Sequence, residues 1–85
     1  MIINKLNHFG EQNFNFIDVS SITNMSYLFT SYVMENINIS DWDVSNVTNF
    51  VGMFEGAKKI TCNLSNWDVS SGTDFSEMFK NCKYC

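Results

Sequence analysis

The fold of this chain is decided by the stretch from Trp42 to Phe54, which reads WDVSNVTNFVGMF. The pattern returns 25 residues later, at 67–79, as WDVSSGTDFSEMF, and 25 residues earlier, at 17–29, as IDVSSITNMSYLF. Repeats of about 20 to 50 residues are typical of proteins whose consecutive units stack and bury their apolar faces on each other. The period therefore predicts a stack of similar units before any single residue is interpreted.

Composition limits the classes of protein that the chain can represent. Its 85 residues suffice for one small domain, and 45% hydrophobic with 15% aromatic residues argue against disorder. A net charge of −4 makes nucleic acid and anionic membranes poor partners. No apolar run approaches the roughly 20 residues of a membrane helix, and the N-terminus lacks the features of a secretory signal. We expect neither nucleic-acid binding nor membrane insertion.

Two spacings of apolar residues alternate within each repeat. After a shared threonine, apolar residues follow at i, i+3 and i+4, which places them on one face of a short helical turn. Thr23, Thr48 and Thr73 lie where the hydroxyl of a helix N-cap is expected. Further along, Ile37 and Ile39 alternate with polar residues, which predicts a half-buried strand that pairs in parallel with its counterparts. We therefore predict an α/β repeat, with a short parallel sheet on one side and short helical turns on the other.

The period also predicts how the chain is divided. We expect one domain with a partial N-terminal coil at 1–17, repeats at 18–42 and 43–67, and a shortened repeat at 68–85. Neither end carries a recognisable polar cap, and the strand expected at 60–67 would be an open edge for pairing. These features predict either self-association through the uncapped ends or membership of a longer repeat protein.

The core at 42–54 resembles the repeats of BspA-type leucine-rich-repeat surface proteins, in the variant that reads WDVSNVTNMxxMF. The resemblance covers about residues 9 to 85. The chain departs from it at Ile17, at Gly72, and at Tyr32 and Ala57, where such repeats often carry the cysteine that Cys82 retains. The resemblance implies a leucine-rich-repeat-like solenoid of about three coils that serves in surface display or adhesion without catalysis. It implies the cell surface, whereas the absence of a signal peptide makes the cytoplasm the default expectation.

Three aspartates share one column of the repeat. Asp18, Asp43 and Asp68 each precede Val-Ser, a context in which the carboxylate can accept a hydrogen bond from a nearby backbone amide and form an Asx turn. We interpret them as turn-forming residues. The alternative is a calcium ladder to which Asp41 and Asn66 would contribute oxygen ligands.

Cysteine and histidine offer little for catalysis. Cys82 and Cys85 form a CxxC that could be a redox pair or half of a zinc site. The other interpretation treats Cys62 and Cys82 as small core residues, with Cys85 on a frayed tail and the odd cysteine count typical of a reducing compartment. His8 is the one histidine, so a nucleophile activated by an imidazole is not expected. We predict no enzymatic activity and no cofactor.

Binding is assigned to the polar positions that alternate with the strand residues. Trp42 and Trp67 share a column, and we interpret them as stacked core residues rather than as a platform for a ligand. The predicted contact residues are Asn13, Asn15, Asn38, Ser40, Asn63 and Ser65. The protein would act as an interaction module for a protein or glycan partner. The alternative is a self-assembling structural repeat, or a fragment of a longer repeat protein, with no binding activity of its own.

Overall fold

The computed structural model describes residues 12–32, 36–57 and 60–82, and each range forms one layer of a stack. We call them the first layer (12–32), the middle layer (36–57) and the third layer (60–82). Strand β1 (Gln12–Asn13) and strand β2 (Ile37–Asn38) pair in parallel, with Gln12 opposite Ile37 and Asn13 opposite Asn38. Isolated parallel bridges also join the layers: Asn24 with Asn49, Asn36 with Thr61, and Asn49 with Asp74. Every pairing joins equivalent positions of neighbouring repeats.

The predicted α/β, leucine-rich-repeat-like solenoid is wrong. The described residues contain no helix, so the side expected to carry helical turns is built differently. The strands are only two residues long, and the strand expected at 60–67 is reduced to the single bridge at Thr61. The layers are therefore made almost entirely of turns and single bridges.

Four-residue turns replace the expected helical turns. The N–H of Leu28 donates to the carbonyl of Met25 at 3.3 Å, and the third residue of this turn, Tyr27, has a φ of 58°. Ser31 repeats the positive φ, at 55°, in the turn that begins at Phe29. A positive φ at the third position is typical of a type II turn and interrupts an α-helix. Met25, Leu28 and Phe29 are nevertheless all buried, as their spacing predicted.

Backbone hydrogen bonds in these turns alternate between the layer itself and the next layer. The amides of Met25, Tyr27, Phe29 and Ser31 donate to carbonyls of the middle layer at 2.8–2.9 Å. The amides at 50, 52, 54 and 56 donate in the same way to the third layer. A helix of so few residues is unstable by itself, whereas the neighbouring layer offers a ready row of acceptors. The chain therefore forms turns and satisfies its amides across layers.

The strands end early because an asparagine side chain accepts a hydrogen bond from the backbone amide that would otherwise pair with a neighbouring strand. Asn38 Oδ1 accepts hydrogen bonds from the N–H and the hydroxyl of Ser40, at 3.3 and 2.9 Å. Asn13 Oδ1 likewise accepts the N–H of Asn15 at 3.0 Å. Such Asx turns offer the backbone an alternative to a ladder partner. Ile37 still faces the core, so the predicted direction of the side chains holds although the strand is short.

The threonine column forms a ladder between layers instead of capping helices. Thr48 Oγ1 donates to the carbonyl of Thr23 at 3.2 Å, and Thr73 Oγ1 donates to the carbonyl of Thr48 at 3.1 Å. The amides of Thr48 and Asn49 converge on the same carbonyl of Thr23, at 2.8 and 3.3 Å. The predicted N-cap role is wrong because the described residues that follow each threonine form turns and not a helix.

Aromatic rings stack along the columns of the core. Phe54 lies between Phe29 and Phe79, with ring centroids 5.5 and 5.6 Å away and interplanar angles of 6° and 3°. Trp42 stacks on Trp67 with centroids 6.4 Å apart, as predicted; Trp42 is buried in the core, and Trp67 is half-buried against it. The middle layer is the most completely buried because it has a layer on each side.

Gly52 lies against the ring of Tyr27 and has a backbone conformation that favours glycine. Its φ is +60°, and an added Cβ would overlap the ring of Tyr27 in the first layer. We expect Gly52→Ala to lower the free energy of unfolding by about 2 to 4 kcal/mol, through left-handed backbone strain together with overpacking. Urea denaturation monitored by circular dichroism measures the loss.

Gly56→Ala is the matched control. Its φ is +73°, but the nearest atom to an added Cβ is Ser31 Oγ at 3.3 Å. We expect a smaller loss, of about 1 to 2 kcal/mol, from backbone strain. Equal losses for the two variants would contradict a specific exclusion by the Tyr27 ring.

Candidate functional site

The six residues predicted to bind form two adjacent columns that run across the layers. One column holds the first residue of each Asx turn, and the other holds the third. In order along the chain the pairs are Asn13 with Asn15, Asn38 with Ser40, and Asn63 with Ser65. The structure therefore brings all six together on one face, as two residues from each of three layers.

Hydrogen bonds between layers hold this face in place. Asn15 Nδ2 donates to Asn38 Oδ1 at 2.9 Å, and Asn15 Oδ1 accepts the N–H of Asp41 at 3.0 Å. In the third layer, Asn63 Oδ1 accepts the N–H and the hydroxyl of Ser65 at 3.0 and 2.7 Å. The acceptor oxygens of Asn38 and Asn63 are thus committed to their own turns, which restricts the orientation of both side chains.

The Nδ2 groups are the part of these side chains left for a ligand. Within the described part of the chain, Nδ2 of Asn13, Asn38 and Asn63 has no acceptor. Asn13 and Asn63 are exposed, and Asn38 is half-buried. The face consequently presents a row of neutral donors in fixed positions.

An open depression of about 360 Å³ lies between the middle and third layers on this face. Its lining comprises Asn36, Ile37, Asn38, Ser40, Thr61, Cys62 and Asn63. The sequence reasoning missed Asn36 and Thr61, which are joined by a parallel bridge and by a hydrogen bond from Thr61 Oγ1 to Asn36 Oδ1. Their position directly before the strand residues, in register with each other, is the signal that could have identified them.

Cys62 contributes a thiol of low reactivity to the depression. It is a free cysteine that packs against the core, and burial raises the pKa of its thiol to about 11. The thiol is therefore protonated at neutral pH and is a poor nucleophile or metal ligand. Cys82 also packs against the core and is disulfide-bonded, so the chain does not carry three free thiols. Cys85, the other half of the CxxC, lies outside the described residues.

The aspartate column forms turns, as predicted. Asp43 Oδ1 accepts the N–H and the hydroxyl of Ser45 at 3.0 and 2.6 Å. Asp18 and Asp68 repeat this arrangement with their own serines. The serine hydroxyl and then the serine amide lower the pKa of each carboxyl, while the neighbouring aspartates act in the opposite direction on Asp43. Each carboxylate is thus stabilised within its own turn.

Metal binding finds little support in this geometry. Among residues 12–32, 36–57 and 60–82, no three His, Cys, Asp or Glu side chains are grouped so that they could hold a metal ion.

The same residues include no helix with the length and hydropathy required to cross a membrane.

Register, turn columns and stacked rings together define a protein built from 25-residue units. The chain belongs to the family described as "Mycoplasma protein of unknown function, DUF285", whose family model matches residues 1–85. Searches of the curated proteins and of the solved structures found no match to it.

Acid should weaken the fold through the aspartate column. The carboxyl pKa is lower in the folded chain than the ordinary value of 3.8, so the stabilisation is present above about pH 4 and is lost as pH falls through the folded pKa. Asparagine can accept the same serine hydrogen bonds, as Asn63 does, but it does not titrate. We expect the triple variant D18N/D43N/D68N to lose stability less steeply between about pH 4 and pH 2.

Urea denaturation at a series of pH values measures this difference. The control is D18A/D43A/D68A, which removes the acceptors and should lower stability at every pH. An acid dependence of the asparagine variant as steep as that of the unmodified chain would contradict the assignment.

Cys62 should react slowly while the protein is folded. With a thiol pKa of about 11, its thiolate fraction at pH 8 is on the order of 100-fold below that of a free cysteine. We expect alkylation by iodoacetamide at Cys62, followed by peptide mass spectrometry, to be slower by at least this factor than in urea. Equal rates with and without urea would show that the thiol is accessible and ionised normally.

Proposed function

We propose that this protein is a non-catalytic interaction module that binds its partner through the polar face formed by the Asn and Ser columns. The observation that carries the proposal is the depression between the middle and third layers, whose lining combines five uncharged polar residues with Ile37 and Cys62. Asn38 and Asn63 flank it, and each has its oxygen engaged and its Nδ2 group open.

Fixed side chains favour binding. Ordering a flexible polar side chain at an interface costs about 0.5 to 1.5 kcal/mol, and the Asx turns have already restricted Asn38 and Asn63. Neutral donors suit partners that present many uncharged acceptors, such as the hydroxyls of a glycan or the carbonyls of an extended peptide. The predicted role in protein or glycan binding is consistent with this chemistry.

Two further observations support an adhesion-type module rather than an enzyme. The motif at 42–54 resembles that of BspA-type surface proteins, for which surface display or adhesion without catalysis is implied. The free thiol of Cys62, in the depression itself, is held in its unreactive protonated form. Membership of a family of unknown function is compatible with this proposal and does not extend it.

Replacement of Asn38 and Asn63 by aspartate tests the proposal. Aspartate keeps the oxygen that each turn needs, as Asp43 does for Ser45, but exchanges the Nδ2 donor for a charged oxygen. We expect N38D/N63D to keep the circular dichroism spectrum and to lose at least about tenfold in binding to an array of neutral glycans or of extended peptides. The array on which the unmodified chain binds identifies the class of partner.

The control S21D/S71D adds the same two charges at exposed positions that do not line the depression. It should bind as well as the unmodified chain. Binding by N38D/N63D at the level of the unmodified chain, or no binding to either array, would refute the assignment of this face.

A further inference from the structure

The side chain of Asn15 joins the first and middle layers through its primary carboxamide. Its Nδ2 donates to Asn38 Oδ1 at 2.9 Å, and its Oδ1 accepts the backbone N–H of Asp41 at 3.0 Å. One carboxamide therefore bonds both an acceptor and a donor of the next layer.

Ser40 occupies the place of Asn15 between the middle and third layers. Its hydroxyl donates to Asn38 Oδ1 within its own layer at 2.9 Å, and no hydrogen bond joins it to the described part of the third layer. A serine side chain is shorter than an asparagine side chain and carries one polar atom instead of two. The carboxamide that bridges the first two layers therefore has no counterpart between the next two.

The third layer keeps the two groups that such a carboxamide would contact. Asn63 forms the same Asx turn as Asn38, and among the described residues its Oδ1 accepts hydrogen bonds from Ser65 alone. The N–H of Asn66 corresponds to that of Asp41, and no described residue accepts it. Because Asn38 Oδ1 accepts a donor from another layer in addition to its own turn, the same oxygen of Asn63 can accept one more donor.

The backbones also separate at this place. Between the first and middle layers, the N–H of Phe14 donates to the carbonyl of Asn38 at 3.0 Å, whereas the equivalent pair, Ile39 and Asn63, forms no such bond. The depression of about 360 Å³ lies at this gap, and Ser40 and Asn63 both line it. The depression is thus the space left where a bridging carboxamide is missing.

We propose that this end of the depression binds the primary carboxamide of an Asn or Gln side chain from a protein partner. The NH₂ group of the carboxamide would donate to Asn63 Oδ1, and its oxygen would accept the N–H of Asn66, as Asn15 does one layer earlier. The inference rests on the proposed function, since it names the group that the polar face recognises.

Other neutral and charged groups fit these two positions less well. A carboxylate has no donor for Asn63 Oδ1, and an apolar group of the same shape has neither donor nor acceptor. The N-acetyl group of a sugar is a trans amide, so its N–H and its carbonyl oxygen point in opposite directions. A primary carboxamide carries both on one carbon, in the arrangement that Asn15 uses.

A series of peptides tests the preference on the unmodified chain. The probes are pentapeptides of glycine with Asn, Gln, Asp or Leu at the centre, blocked by an acetyl group and an N-methylamide. They are titrated to millimolar concentration into the ¹⁵N-labelled full chain and followed by NMR. We expect the Asn and Gln peptides to shift the backbone amide resonance of Asn66 and to bind at least about tenfold more tightly than the other two. Equal affinity across the series, or no shift with Asn or Gln, would overturn the proposal.

Ser40→Asn supplies the missing carboxamide from the chain itself. We expect S40N to slow hydrogen exchange of the Asn66 amide at least about tenfold and to lose the peptide-induced shift, because the site is then filled. The control Ser21→Asn adds the same side chain at an exposed position outside the depression and should behave as the unmodified chain does. Undiminished binding of the Asn peptide by a folded S40N chain would overturn the proposal.

Failure of this inference can be told apart from failure of the proposed function. Loss of array binding in N38D/N63D, together with equal affinity across the peptide series, would keep the polar face as the binding surface and overturn the carboxamide site alone. A trimer of N-acetylglucosamine that shifts the Asn66 resonance when the Asn and Gln peptides do not would likewise overturn the carboxamide site and assign the depression to a glycan.

Discussion

Backbone hydrogen bonds between equivalent positions of neighbouring layers are the interaction on which the rest of the structure depends. Every second amide of the turn segments donates to the next layer, and the amides between them bond within their own layer. This alternation works only when the layers keep one register, because a shift by one residue would place the amides opposite carbonyls that already accept hydrogen bonds within their own layer. The 25-residue period of the sequence is the consequence of that constraint.

A fixed register places residues of the same type from neighbouring layers against each other. The columns therefore hold side chains that tolerate contact with their own kind. Phenylalanine rings gain from stacking, as Phe29, Phe54 and Phe79 do at centroid distances of 5.5 and 5.6 Å. Aspartates would repel, but each carboxylate in the column is stabilised by its own serine. Asn63 and Asp43 form the same turn, so the columns of Asn and Asp are built on one local motif.

The polar face also follows from the stacking of the layers. On the polar face, Asx turns satisfy the acceptor oxygens and leave neutral donors around a depression. In the third layer Phe75 and Phe79 are 43% and 47% exposed, whereas the equivalent Phe50 and Phe54 of the middle layer are buried. The polar face is the surface to which we assign the proposed binding.

The sequence by itself determined the period, the inward positions and the turn role of the aspartates, because each depends on residue type at a fixed spacing. It did not distinguish helix from turn, since i, i+3 and i+4 spacing directs Met25, Leu28 and Phe29 inward in either case. Only the tertiary structure decided this, because the carbonyls that accept the turn amides belong to another layer. The depression was equally hidden, because Asn36 and Thr61 meet only when two layers stack.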